Sequence, residues 1–279
     1  MSENKPDKNS DEPITFYEKN YSFRKKYNGF IVITIIIFIL ISISFTIALI
    51  TTNNKSGEST ISQIPININP NNKYTHCIIW LHGLGGSPEN MVNLFTKDII
   101  INKLNSTKII LLRAPLMKVS YYKNRRQTSW FDIFSFPLNS RNTYNFEDAK
   151  KSSNFLRNII EKEAKILGDY QKIFIGGFSQ GACISLFTAF NFEKLLGGVI
   201  ACSGFLFEQT EIIGDKKSLN VYIGHGDRDK LIPFEFHKKT IKRIEEYKGV
   251  KKYYYNGYGH SINKDEKKDI EKFLNVLIT

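Results

Sequence analysis

The sequence predicts an α/β class domain, a mostly parallel sheet with helices on both faces, over residues 74–279, preceded by a single apolar helix at 30–50. Three observations carry this reading. From Tyr74 onward, short aliphatic runs alternate with amphipathic stretches, as strands do when helices carry the chain back between them. Runs such as Cys77-Ile78-Ile79-Trp80-Leu81 are apolar without alternation, as expected of strands buried on both faces. The polar motifs sit at the carboxyl ends of these runs, where open sheets handle their ligands.

The chain has 279 residues and a net charge of +12, with 42% hydrophobic and 24% charged residues, enough apolar material for one core plus appendages. The excess of lysine reads either as a solvated basic surface or as attraction to anionic lipid headgroups. No zinc-ligand spacing, basic-aromatic motif or recognition-helix pattern points to nucleic acid. Cys77, Cys183 and Cys202 lie in or beside apolar segments and show no paired spacing, so buried free thiols are expected rather than a disulfide framework.

Residues 1–29 form a polar tail, largely without period. Phe30 to Ile50 contains no charged residue, and at ~1.5 Å rise per residue a helix of that length crosses a ~30 Å hydrocarbon core. The long polar leader and the length of the run favour a retained anchor over a cleaved signal peptide. Arg24, Lys25 and Lys26 precede the run and only Lys55 closely follows it, which places the N-terminus in the cytosol and the large domain on the lumenal or extracellular side. Asn54-Lys55-Ser56 and Asn105-Ser106-Thr107 are sequons that matter only with that topology. Residues 51–73, rich in Ser and Asn with Pro65 and Pro70, read as a linker.

Within 74–279 the strand at 77–81 ends in His82-Gly83-Leu84-Gly85-Gly86-Ser87, and a helix from about Pro88 to Ile100 follows. Lys108 to Leu112 is the next strand, then a long connection carries Ser129-Trp130-Phe131-Asp132. Glu147 to Leu167 has an apolar face through Ala149, Leu156, Ile160, Ala164 and Leu167. Strands at 173–178, 198–202, 219–224 and 251–255 and helices at 234–247 and 264–277 complete the alternation.

The central stretch is Ile173-Phe174-Ile175-Gly176-Gly177-Phe178-Ser179-Gln180-Gly181, a strand running into a G-x-S-x-G turn and then a helix. In that setting the serine is a nucleophile at a strained elbow. By itself the pattern arises by chance in roughly one chain in ten of such length and composition. Its position among the other strand-end motifs makes it a candidate active site.

A serine hydroxyl needs a base to take its proton, and an imidazole base needs a carboxylate to orient it. The chain order for such an elbow is Ser, acid, His. Of the histidines, only His237 and His260 follow a suitable acid; His237 lies mid-helix among lysines and reads as a solvated helix residue. His260 follows a strand in a Gly-rich turn and is the expected base. Gly226-Asp227-Arg228-Asp229 offers two acids, and spacing does not separate them; Asp227 could equally brace its turn. One oxyanion donor is the N–H of Gln180, after the nucleophile, and the other comes from the His82–Gly85 turn.

Trp80-Leu81-His82-Gly83-Leu84-Gly85, Ala114-Pro115, Ser129-Trp130-Phe131-Asp132, Gly176 to Gly181, His225-Gly226-Asp227-Arg228-Asp229 and Gly259-His260-Ser261 together resemble the acyl-protein thioesterase branch of the phospholipase/carboxylesterase family, over residues 74–279. The resemblance implies an α/β-hydrolase fold, a Ser179–Asp229–His260 triad, and Leu84 and Gln180 as oxyanion donors. It sets Trp130 near an acyl groove, whereas its chemistry alone reads as a core aromatic. No metal or dissociable cofactor is implied. Acylated proteins, lysophospholipids or simple esters are the expected substrates, and a catalytically inactive fold tethered as a binding module is the alternative from another class. Three departures stand out: Gly86 where the family often has an acid, Ala182 for a second glycine, and Lys230 for a proline.

Overall fold

The aliphatic runs from Tyr74 onward form strands at or within two residues of where the sequence puts them. In the computed structural model, which describes residues 63–70, 73–247 and 249–278, these are β2 (His76–Leu81), β3 (Thr107–Leu112), β6 (Ile173–Phe178), β7 (Gly198–Cys202), β8 (Val221–Gly226) and β9 (Val250–Tyr255). With β1 (Ile66–Ile68) they make one sheet in the order β1-β3-β2-β6-β7-β8-β9, parallel throughout except for β1.

Alternate residues of each strand feed two cores. Ile79 and Leu81 of β2 join the helices α1 (Phe146–Leu167), α2 (Gln180–Asn191) and α3 (Phe234–Ile244) on one face. Ile78 and Trp80 join Leu94, Phe95, Ile99 and the helix α4 (Lys264–Leu277) on the other. Both faces being covered is the reason these strands lack a polar alternation. Helix α2 lies at the centre, buried along nearly its whole length, and accordingly is apolar on all sides. Asn145 caps α1 through the Asp148 N–H, and Asn263 caps α4 through the Asp265 and Glu266 N–H groups. The three cysteines are buried free thiols.

Four local features depart from the sequence reading. The segment expected to be a linker contributes β1, whose Ile66 and Ile68 pair antiparallel with Leu111 and Ile109. The helix expected at 88–100 is instead a 3₁₀ turn at Pro88–Met91 and a π-helical turn at Leu94–Asp98. Its end is drawn away from helical bonding because α4 supplies the acceptors: Glu271 takes the Ile100 N–H and Asn275 the Asn102 N–H. The connection after β3 contains a hairpin, β4 (Leu116–Val119) and β5 (Arg125–Thr128), turned by Lys123 and Asn124 at positive φ; its second strand is polar and gives no hydrophobic signal. His237 is fully buried rather than solvated, because it shares the inward stripe of α3 with Ile241 and Ile244 while the neighbouring lysines face outward.

Among the described residues no helix is long and apolar enough to cross a membrane. The tail at 1–29, the expected span at 30–50 and the Asn54 sequon lie outside the described residues.

Candidate active site

The turn between β6 and α2 works only because two side chains are missing. A Cβ on Gly181 would lie 2.2 Å from the Leu81 carbonyl oxygen, and one on Gly177 would lie 2.5 Å from the Gly181 carbonyl carbon. The strand, the helix and β2 thus meet closer than any larger residue permits. Ser179 sits between them at φ 57, ψ −120, a strained conformation for a residue with a side chain, held by its N–H donating to Cys202 O at 2.9 Å.

His260 reaches this serine from the loop after β9. Its Nε2 is 2.8 Å from Ser179 Oγ, and its Nδ1 is 2.6 Å from Asp229 Oδ2. The carboxylate fixes the tautomer: Nδ1–H donates to Asp229, which leaves Nε2 to accept the serine proton. Asp229 itself is buried in the turn after β8, where its Oδ1 accepts the Leu231 and Ile232 N–H groups at 2.9 and 3.0 Å. Burial pushes its pKa up, but the hydrogen bond and charge of His260 and the backbone donor outweigh it, and the net shift is downward.

The other acid, Asp227, points elsewhere: its Oδ1 accepts the Gly257 N–H at 2.7 Å, tying the β8 turn to the loop that carries His260. The ambiguity between the two acids is thereby resolved in geometry, with Asp229 on the imidazole and Asp227 on the backbone.

Behind Asp229 lies a feature that sequence reasoning missed. His225 Nε2 is 2.9 Å from Ile232 O and 3.4 Å from Asp229 Oδ2. A carbonyl only accepts, so this nitrogen carries the proton. The His237 ring stacks on His225 at 4.5 Å between centroids. Both imidazoles are fully buried, and desolvation lowers both pKa values, that of His237 to about 3. The signal available in the sequence was the helical spacing of His237 with Ile241 and Ile244.

The segment between β2 and the 3₁₀ turn is pinned on both sides of Leu84. His82 donates from Nδ1 to Gly83 O at 2.7 Å and accepts the Ala114 N–H at Nε2, 3.1 Å. Trp130 Nε1–H donates to His82 O at 2.8 Å, and the Gly85 N–H donates to Thr128 O at 2.8 Å. Gln180, the first residue of α2, presents its backbone N–H at a helix N-terminus, where no intrahelical acceptor exists. Its side chain is clasped by the segment after the hairpin: Oε1 accepts the Trp130 N–H at 3.0 Å and Nε2 donates to Phe131 O at 2.8 Å. Trp130 is 1% exposed and lies outside the cleft beside the site, so in this structure it is a core side chain that braces the Leu84 loop.

The departures are local. A Cβ on Gly86 would lie 3.0 Å from Gly83 O and 3.1 Å from His82 Nδ1, so this tight turn leaves little room for an acid. The Ala182 methyl occupies the space that a Cβ on Gly204 would need, 2.5 Å away. Lys230 is exposed. A cleft of about 340 Å³ opens next to His260, floored in part by Phe178, whose ring packs against the imidazole at 4.8 Å.

A profile of the family described as Phospholipase/Carboxylesterase matches residues 63–278. The acyl-protein thioesterase 1 of Debaryomyces hansenii is 33% identical over 213 residues, which span 72% of this chain and 90% of that protein. That of Candida albicans is 30% identical over 215 residues, 72% and 91% of the two chains. Among solved structures, Arabidopsis thaliana SOBER1 superposes with a TM-score of 0.67 at 24% identity, covering 73% of this chain and 99% of its own. The acyl-protein thioesterase 2 of Zea mays gives 0.65 at 21% identity, covering 78% and 100%. The two structures bear on the fold.

Proposed function

Given that the chain belongs to the phospholipase/carboxylesterase family, in its acyl-protein thioesterase branch, we propose that it is a serine hydrolase cleaving acyl thioesters, with acylated cysteines of proteins as substrates. The observation that carries this reading is the hydrogen-bonded line from Ser179 Oγ through His260 to Asp229, at 2.8 and 2.6 Å.

In the first half-reaction the Ser179 hydroxyl proton passes to His260 Nε2 as Oγ bonds to the carbonyl carbon. The oxygen that becomes negative takes the Leu84 and Gln180 N–H groups; such a donor is worth about 3–4 kcal/mol in the transition state. His260 then gives the proton to the departing sulfur, the C–S bond breaks, and Ser179 keeps the acyl group. A water, deprotonated by the same imidazole, attacks the acyl-enzyme and returns Ser179 and the free acid. Asp229 stays ionised throughout and stabilises the imidazolium.

The reading includes a membrane address: the apolar span at 30–50, with Arg24, Lys25 and Lys26 before it, holds the catalytic domain on the lumenal or extracellular side. On that side lysophospholipids and other carboxylic esters compete as substrates, and a lysophospholipase or general carboxylesterase is the second reading. Protease protection of the domain in sealed microsomes tests the address, and digestion without detergent overturns it.

The chemistry is tested with Ser179→Ala. Turnover of a palmitoyl-cysteine peptide should fall by several orders of magnitude, leaving ~10³–10⁴-fold over water from binding and the oxyanion donors. Labelling of the folded wild-type chain by a fluorophosphonate is expected; no labelling would mean an inactive fold serving as a binding module. Faster turnover of lysophosphatidylcholine than of the peptide would favour the second reading.

A further inference from the structure

The cleft beside His260 has an occupant fixed by the geometry of the reaction. In the tetrahedral intermediate the oxyanion lies toward the Leu84 and Gln180 N–H groups, and the leaving heteroatom must lie where His260 Nε2–H can protonate it. Whatever is attached to that heteroatom therefore passes over the His260 loop. The cleft opens there, lined by His260, Ser261 and Ile262.

Its chemistry narrows the ligand. Met91, Leu94, Phe178 and Ile262 give it an apolar lining, and two carboxamides, Asn90 and Asn93, add polar edges. Asn90 Oδ1 holds the Ser87 N–H at 3.0 Å, so its amide is oriented with the nitrogen left to donate. The cation in the lining, Lys267, is bonded to Asp98 at 2.8 Å, so the pair contributes no net charge. A phosphate-bearing leaving group would ask for an unpaired cation, and a quaternary ammonium for several aromatic faces where the cleft has Phe178. A neutral peptide suits it: apolar side chains for the floor, and main-chain amides for carboxamides that donate and accept. At about 340 Å³ the space is at the low end for a ligand pocket and admits one or two residues.

We propose that this cleft is the leaving-group subsite, and that it binds uncharged, apolar residues flanking the acylated cysteine. The proposal rests on the thioesterase reading above.

The test compares two thioesters with the same octanoyl chain, one on the cysteine of an uncharged, leucine-bearing pentapeptide and one on N-acetylcysteamine, which has nothing to place in the cleft. Met91→Trp, which fills it, should lower the ratio of the two kcat/KM values at least tenfold at an unaltered melting temperature. Lys267→Glu leaves two carboxylates unpaired and should shift preference at least fivefold toward a peptide carrying lysine beside the cysteine. It serves as the second readout should Met91→Trp not fold. A ratio within twofold of wild type in the folded variants overturns the assignment. So does an equal fall on both substrates accompanied by a changed acyl-length preference, which would place the acyl chain there. Wild-type protein that hydrolyses neither thioester would instead sink the thioesterase reading itself.

Discussion

Asp227 Oδ1 accepts the Gly257 N–H at 2.7 Å, so two acids of one short turn hold His260 by different means, one through the backbone of its loop and one through the imidazole. Replacing Asp229 by Asn puts a donor where His260 needs an acceptor, and kcat should fall about 10⁴-fold. Asp227→Ala removes one hydrogen bond, worth about 1–1.5 kcal/mol, and should lower kcat up to about tenfold. Asp227→Asn keeps an accepting oxygen and should recover most of that loss. Steady-state kinetics on one thioester separates the three; a loss from Asp227→Ala as large as that from Asp229→Asn would contradict the division.

The buried titratable groups set opposing pH dependences. Burial, then the facing His225, holds His237 down to about 3, against the pull of the Gly204 backbone and Asp229. Between pH 6.5 and 3 the unfolded chain takes up a proton that the folded one refuses, so stability falls with falling pH, by up to about 1.4 kcal/mol per unit. His225 and His82, also depressed chiefly by burial, act in the same sense. Glu266 is pushed up to about 7 by burial, and its contribution is fully present below 4.5 and is lost as pH rises through 7. Urea midpoints at pH 7 and 5 should therefore show a smaller acid loss for His237→Phe and a larger one for Glu266→Gln than for wild type.

Trp130 tests whether the Leu84 loop needs its brace. Trp130→Phe keeps an aromatic ring in the core but leaves the buried His82 carbonyl without the indole N–H it now receives at 2.8 Å. Stability should drop by about 1–3 kcal/mol. Because Leu84 is expected to act on the oxyanion, kcat should fall several-fold while KM stays within twofold. A raised KM with unchanged kcat would return Trp130 to a substrate-binding role.

Ala182 and Gly204 share room for one methyl group, since their Cβ positions would lie 2.5 Å apart. Gly204→Ala should cost about 1–3 kcal/mol through overpacking. Adding Ala182→Gly should recover most of it, less about 1 kcal/mol for a glycine inside α2. Thermal melts of the two single variants and the double measure that coupling.

Much of this architecture was legible from the residues. Unbroken aliphatic runs specified the buried strands because both of their faces are covered. The site motifs were legible because a tight turn restricts which residues fit, as at Gly177 and Gly181. What escaped notice depended on partners distant in sequence. The 88–100 segment looks helical until Glu271 takes the Ile100 N–H and Asn275 takes that of Asn102 just beyond it. The β4–β5 hairpin carries polar residues on its second strand, and β1 spans just three residues, paired with β3 and packed on the core through Ile66 and Ile68. His237 looks solvated in the sequence because its lysine neighbours there occupy the opposite face of α3.

The brevity of β1 has a practical consequence for anyone isolating the catalytic domain. The motifs begin near Tyr74, and a truncation there would look harmless, yet it would strip Ile66–Ile68 from β3 and leave Ile109 to Leu111 as a bare, aliphatic sheet margin. Such a margin recruits strands from other molecules. At the opposite side of the sheet, β9 carries the exposed Lys251 and Lys252, charges that discourage the same stacking. A catalytic fragment should start after residue 50 and no later than 63, so that it leaves out the apolar stretch and keeps β1; a version starting at 74 should associate through β3 and precipitate.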